Sequence, residues 1–351
     1  MPMSSSITAV FVLLLSLLLH TVSNAKILDP LTTSISLPDT IIAAEDISAI
    51  TQIAGSSLVV IASDEAVGNN NNENYIQLLK KKANNHYNVH RNLLVFTGDK
   101  SGGKELDIEG LTAVNNDIYV LGSHSSKRKK IKQNRSYKKN RKKFNSSKIE
   151  DEKDRDWLYR LHLDNDGKML STARITLRNI IDNDDVLSPF GSIPSKENGV
   201  DIEGIAAKDD WLYLGFRGPV FRGNYVPVMK FKFENPKETY QLLYVALNGR
   251  GIRGMTSVAD GFLILAGAVG DGDASYQLYH WNGKDVITGK NQHAADKGEV
   301  RLLGEIQPPA NGKAEGIMVV KEDKVHYQLL IVFDGVKTLN NVMRYFRIVK
   351  S

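Results

Sequence analysis

Apolar residues along this chain recur in short bursts rather than in long helical stripes. Runs at 201–207, 211–216, 225–233 and 240–247, and again at 252–258, 262–266, 276–281 and 299–306, are rich in β-branched and aromatic residues. Asp-Gly, Asn-Asp and Asn-Gly pairs separate them, which is the punctuation of strands joined by tight turns. Only residues 75–83 carry a short spacing that reads as helical. The pattern therefore predicts an all-β chain.

The bursts also repeat. DIEGLTAVNNDIYVLGSHS from Asp107, DIEGIAAKDDWLYLGFRGP from Asp201 and GIRGMTSVADGFLILAGAVG from Gly251 align by eye. Looser copies begin at Asp46 and Lys313, so the starts are 61, 94, 50 and 62 residues apart. Removing about 30 residues of insertion from the long interval leaves a period of roughly 50–60 with four strands per unit, the signature of a β-propeller blade. The expected fold is a single propeller over 26–351, of five blades with six as the alternative. The last unit is one strand short, and the run at 34–42 is expected to supply it and close the ring.

In an extended strand, residues two apart project to one side. The acids of Asp-x-Glu-Gly therefore share a face, and the glycine after them permits close approach near the axis. Repetition gathers Glu109, Glu203, Arg253 and Glu315 into a ring, with Asp107, Asp201 and Lys313 beside them. Second-strand ends add Asp64, His124, Arg217 and Asp334, and Arg222 follows closely. Crowded carboxylates stay ionised only if a cation, an arginine or shared protons compensate them. One reading is an internal network in which Arg253 and Lys313 neutralise the acids. Another is a hard-cation site, with Glu109, Glu203, Glu315, Asp107 and Asp201 as oxygen ligands and calcium as the ion. The arginines also suit a phosphate or carboxylate ligand. His124 reads either as an acid–base residue or as a hydrogen-bonded structural one.

Charge is distributed unevenly. The formal net charge is +5, yet 12 of the 22 residues from 127 to 148 are Lys or Arg and none is acidic. The remainder is thus acidic overall. Like charges in a block repel, so 126–150 is expected to be a disordered insertion, either solvated or touching an anionic membrane or polyanion. Specific nucleic-acid binding is not expected. Cysteine is absent, which excludes disulfides, thiolate metal sites and a cysteine nucleophile. Residues 1–25 are uncharged, with an 11-residue, largely apolar run at 9–19 and small Ser23 and Ala25. They read as a cleaved signal peptide, too short to span a bilayer, and imply export to the periplasm or the extracellular space; separately, a monomer is expected.

The strings Asp107-Ile-Glu-Gly-Leu111, Ser123-His-Ser125, Asp201-Ile-Glu-Gly-Ile205, Arg217-Gly-Pro-Val-Phe-Arg-Gly223, Gly251-Ile-Arg-Gly-Met255 and Lys313-Ala-Glu-Gly-Ile317 resemble an uncharacterised, mostly bacterial family classed as a domain of unknown function. The likeness runs from about residue 46 to 334. More distantly, the Glu-Gly-Leu repeat looks like the esterase-like phytase propellers, which implies phosphoester hydrolysis with calcium. Ser48-Ala49 stand where that pattern has Glu-Gly. Three functions follow as expectations. The chain is a metal-dependent phosphoesterase or esterase-like hydrolase using Glu109, Glu203, Glu315 and His124. Alternatively it binds an anionic small molecule or glycan through Arg217, Arg222, Arg253, Lys313, Asp64 and Asp334. As a third option it is an envelope scaffold tethered by the basic loop.

Overall fold

The computed structural model describes residues 25–32, 35–98, 105–310 and 312–350. The expected signal peptide lies outside them. Among the described residues the strand-like runs form five blade sheets, antiparallel apart from one short added strand in the fourth. Blade one comprises Ile47–Gln52, Leu58–Ser63, Glu73–Lys81 and Tyr87–Thr97. Blade two has Ile108–Val114, Asp117–Gly122, Leu158–Leu163 and Met169–Ile175. Blade three has Asp201–Lys208, Trp211–Gly218, Tyr225–Phe231 and Gln241–Ala246, and blade four Gly251–Val258, Gly261–Gly267, Tyr276–Trp281 and Val300–Ile306. Blade five has only Lys313–Glu322, His326–Asp334 and Met343–Val349. The extra length of the second unit holds no sixth blade. It is taken up by an insertion and by the irregular connection into blade three.

The first strand of each blade packs against the first strands of both neighbouring blades, so these five strands enclose the axis. The motif glycines explain how closely they approach. A Cβ on Gly110 would meet Ile205 of blade three at 2.7 Å, and one on Gly204 would meet Ile252 of blade four at 2.7 Å. On Gly254 it would lie 2.2 Å from the Glu315 carbonyl of blade five. Each blade thus offers a hole for the apolar residue of the next. Ile205, Met255 and Ile317 fill these holes and are buried. Gly316 serves the junction of blades five and one, where a Cβ would lie 3.0 Å from the Ile50 nitrogen; at the junction of blades one and two Ala49 replaces glycine, and the Ser48 hydroxyl donates to the Ile108 carbonyl at 2.5 Å. Outward from the axis, aromatic residues fill the wedges between sheets; Phe262 and Trp281 stack at 5.1 Å with Tyr213 against both.

Two expectations need revision. Residues 75–83 are not helical: Glu73–Lys81 is a strand paired on both sides, and its Leu78 and Leu79 are fully buried. Ring closure does involve the N-terminal segment, but earlier and more loosely than a strand at 34–42. Ile27–Leu28 runs parallel to the outer strand of blade four, Pro30 bridges Phe346 of blade five, and Ser36 bridges His86 of blade one. Pro30 and Pro38 remove ladder donors, which limits pairing to isolated bridges. Leu28, Ile35, Leu37 and Ile41 are buried beneath this belt.

The basic insertion has local order. Ser126–Arg128 pairs with Ile149–Asp151, and Tyr137–Ser146 forms a helix at the tip.

Since the Gly254 clash is with a backbone oxygen, Gly254→Ala should cost about 1–3 kcal/mol, as overpacking does. Gly272→Ala, which meets nothing within 4 Å, should be neutral. Thermal unfolding of the two variants checks this difference.

Candidate functional site: a buried ring of charge at the propeller axis

In every blade the pairing of first and second strands slips by one residue at the same place. The slips fall between Ile47 and Ala49, Ile108 and Gly110, Ile202 and Gly204, Ile252 and Gly254, and Ala314 and Ile317. The slipped positions hold Ser48, Glu109, Glu203, Arg253 and Glu315. A bulge kinks its strand and re-aims a side chain. Here it recurs at the residue whose repetition defines the ring, which regular period-two geometry does not foresee.

Arg253 joins three blades. Its Nη1 lies 2.9 Å from Glu203 of blade three, and its Nη2 binds Glu315 of blade five. Arg217 contacts Glu203 at 2.6 Å and also binds Asp201. Glu203 and Asp201 are 2% exposed and Arg253 5%, so these ions have exchanged water for one another. Burial alone would lower the arginine pKa values, but the neighbouring carboxylates raise both. Burial raises Glu203 and Glu315 above the ordinary carboxylate range, although the arginines beside them pull the other way. Burial likewise pushes Asp201 up to about 7, against the pull of Arg217.

The polarity of the pairs changes around the ring. In blade three the acid Asp201 stands on the first strand and Arg217 near the end of the second. In blade five the first strand carries Lys313, which binds Asp334 near the end of the second strand. Blade two draws its cation from elsewhere. Arg155, on the return of the insertion, binds Glu105 and contacts Asp107 at 2.7 Å and Glu152 at 2.8 Å. Sequence reasoning missed Arg155 because it occupies no repeated position. Its only signal is a lone base in the acidic Asp-Arg-Asp that follows the insertion.

Among the described residues, no hydrogen bond or ion pair reaches Glu109, and Asp201 Oδ1 accepts no hydrogen bond. Burial, then Glu203, Asp107, Glu315 and Asp201, hold the Glu109 carboxyl well above its ordinary range. Asp64, with its own unpartnered Oδ1, is raised in the same way by burial and by Glu315 and Asp107. One oxygen each from Glu109, Asp201 and Glu203 lie within 4.8 Å of one another. That is the reach of two oxygens set about 2.4 Å from a common ion.

Of the five carboxylates expected as ligands, these three come together; Asp107 and Glu315 are engaged by Arg155 and Arg253, and Asp201 and Glu203 also carry arginine contacts, so Glu109 alone of the five has no ion-pair partner among the described residues. The axial void is about 10 Å³ and is lined by Glu109, Glu203 and Glu315 among glycines and apolar side chains. It has room for one water or ion. Arg222 is exposed, and among the described residues nothing joins it to the ring. His124 is fully buried; Nδ1 donates to the Gly122 carbonyl at 2.8 Å and Nε2 accepts from Leu177 at 3.4 Å. Burial lowers it to about 4, which favours the neutral ring, and both ring nitrogens lie within hydrogen-bond reach of the backbone. A larger cleft of about 380 Å³, lined by Ser126, Asp151, Arg178 and Asp182, opens beside the insertion and includes none of the ring residues.

The fold and this axis define a five-bladed β-propeller with a charged hub. The chain belongs to the family described as a protein of unknown function (DUF3616), whose model matches residues 46–176 and 168–343. No curated protein matches the sequence. Among solved structures it is similar to the WD40 repeats of RRP9 (TM-score 0.37, 9% identity, 84% of this chain and 61% of that one). It is also similar to Saccharomyces cerevisiae Sqt1 (0.32, 9%, 93% and 99%) and to a Bombyx mori GH32 β-fructofuranosidase (0.37, 8%, 85% and 59%). The chain thus spans about three fifths of the RRP9 chain, and likenesses this distant bear on neither activity nor ligand.

Two predictions follow from the hub. Removing one partner of a buried pair strands the other charge, at about 3–5 kcal/mol. Arg253→Met should therefore lower the unfolding midpoint sharply, and adding Glu203→Gln and Glu315→Gln should restore part of the loss. The second concerns pH. The unfolded chain releases the Glu109 proton near its ordinary 4.5, whereas the folded chain holds it to higher pH. Its contribution is therefore present at low pH and is lost as pH rises through the elevated value. In chelator-treated protein, Glu109→Gln should match wild type near about pH 5 and unfold at a higher temperature near about pH 8.

Proposed function

We propose that the protein is a binding propeller whose axis takes up one divalent hard cation between Glu109, Asp201 and Glu203. The observation that carries this reading is the charge balance at the mouth. Among the described residues, Asp64, Asp107, Glu109, Asp201, Glu203, Glu315 and Asp334 face only Arg155, Arg217, Arg253 and Lys313. Glu109 and one oxygen of Asp201 are left without partners. Burial, and then the neighbouring carboxylates, raise Asp64 and Glu109, and burial raises Asp201 against the pull of Arg217, so all three hold protons more tightly than free carboxyls. A cation can replace those protons, using carboxylate oxygens and retained waters as ligands.

The same balance disfavours direct capture of an anion at the axis. Arg217 and Arg253, the expected oxyanion grips, already bind carboxylates. The void admits an ion but no phosphoester, so this geometry supports cation binding better than ester hydrolysis. Hydrolysis would require the substrate to sit above the hub, with His124 taking no part as acid or base.

Thermal unfolding of chelator-stripped protein, with and without millimolar calcium, magnesium or manganese, tests the reading. A ligand at 100 times its Kd adds about 2.7 kcal/mol to the native state. One of these ions should raise the wild-type midpoint by several degrees and leave Glu109→Gln unmoved. No shift with any of them would overturn the proposal.

A further inference from the structure

We propose that the insertion between the second and third strands of blade two is a membrane-docking arm that seats the propeller on an anionic phospholipid surface. Its twelve basic residues fall into two groups. Four lie at the base and are neutralised. Lys127 contacts Glu152 at 2.8 Å, Arg128 contacts Glu197 at 2.6 Å, Lys129 contacts Glu150 at 2.7 Å, and Lys130 contacts Asp271 at 3.2 Å. These acids come from the arm's own return strand, the connection into blade three and a loop of blade four, so the base is tied to the body at several points. The other eight, from Lys132 to Lys148, have no acidic partner among the described residues, although the chain outside 127–148 has 40 acidic residues against 33 basic.

The tip also carries exposed apolar groups. Tyr137 is 76% exposed and Phe144 62%, and they share a helical stripe with Arg141. Ile131 is exposed nearby. One flank of the helix is tied down: Asn140 donates to the Lys132 carbonyl at 2.8 Å and Lys143 to the Lys130 carbonyl at 2.8 Å. The aromatic stripe and Lys138 and Lys142 are therefore left outward. Unpaired cations beside exposed aromatic rings are the composition of an interfacial helix, where phosphates take the cations and the rings enter the headgroup boundary. A soluble polyanion would use the cations alone. Because the acidic body is repelled by an anionic bilayer, contact should concentrate on the arm.

Co-sedimentation of the whole protein with phosphatidylcholine vesicles, with and without phosphatidylserine, tests the proposal. Binding should require the anionic lipid and fall with salt. Each cation contributes roughly fivefold in partitioning. Lys138→Glu with Lys142→Glu should therefore weaken binding on the order of a hundredfold or more, with an unchanged unfolding midpoint because both side chains are exposed. Tyr137→Ser with Phe144→Ser should remove the salt-resistant part of the binding, roughly tenfold. Failure to bind anionic vesicles at low salt would overturn the proposal. So would binding that ignores the aromatic substitutions and is matched on immobilised heparin or single-stranded DNA, which would reassign the arm to a polyanion. The calcium-shift experiment reads the axis alone, so the two proposals can fail separately.

Discussion

Everything in this molecule depends on how closely five strands can approach one axis. The glycines at the centre of the motif make the approach possible, and once it is made there is space for only about one water at the core. Groups that point inward must then satisfy one another. Five carboxylates could not be buried together, and five apolar residues would leave no polar hub. The ring instead holds three glutamates, one serine and one arginine, and the arginine spans the glutamates on both sides. Such an arrangement contributes little net stability, because desolvation of the ions offsets most of their attraction. Its consequence is intolerance: removing one member exposes the whole desolvation cost of its partners.

The local pairs around the ring show the same constraint met in different ways. Blade three places its acid on the first strand and its base on the second, and blade five reverses them. Blade two brings a base from outside the repeat. What these three blades share is one compensated pair at the blade entrance, not a particular residue. Compensation is incomplete at Glu109 and Asp64, and both are pushed toward protonation. In that sense the ring is two-sided: paired where Arg253 acts, unpaired where Glu109 stands.

Much of the fold was legible in the sequence for a clear reason. Short apolar runs separated by Asp-Gly and Asn-Asp turns have few alternatives to strands, and a repeated motif fixes their grouping. The strand runs expected in the third and fourth units coincide with the observed ones to within one or two residues at most ends. Residues 75–83 misled because Tyr75, Leu78 and Leu79 fit helical and extended spacing alike, and only pairing with two long neighbours decides between them. The ring was legible as a set of residues but not as a geometry. Period-two reasoning assumes an unbroken ladder, and the bulge that aims the ring side chains breaks it in every blade. Arg155 was invisible to any repeat-based argument. His124 could not be resolved, since its role depends on the Gly122 carbonyl and the Leu177 amide closing around it.

The arm and the hub share carboxylates, which raises the question of whether one can move without disturbing the other. Lys127 of the arm contacts Glu152, and Arg155 of the hub contacts the same residue and Glu105 as well. The chain of contacts from arm to axis is therefore continuous, but continuity alone is not coupling. Arg155 is held by three acids, one of which, Asp107, the arm does not touch. Lys127 is about one third exposed, so withdrawing it breaks an interaction of at most about 1 kcal/mol and strands no buried charge. Arg155 would remain satisfied and Asp107 would keep its partner. If the arm docks as proposed, losing the Lys127 contact would leave the ion pairs of the axis in place, and the propeller would present its charged mouth unchanged.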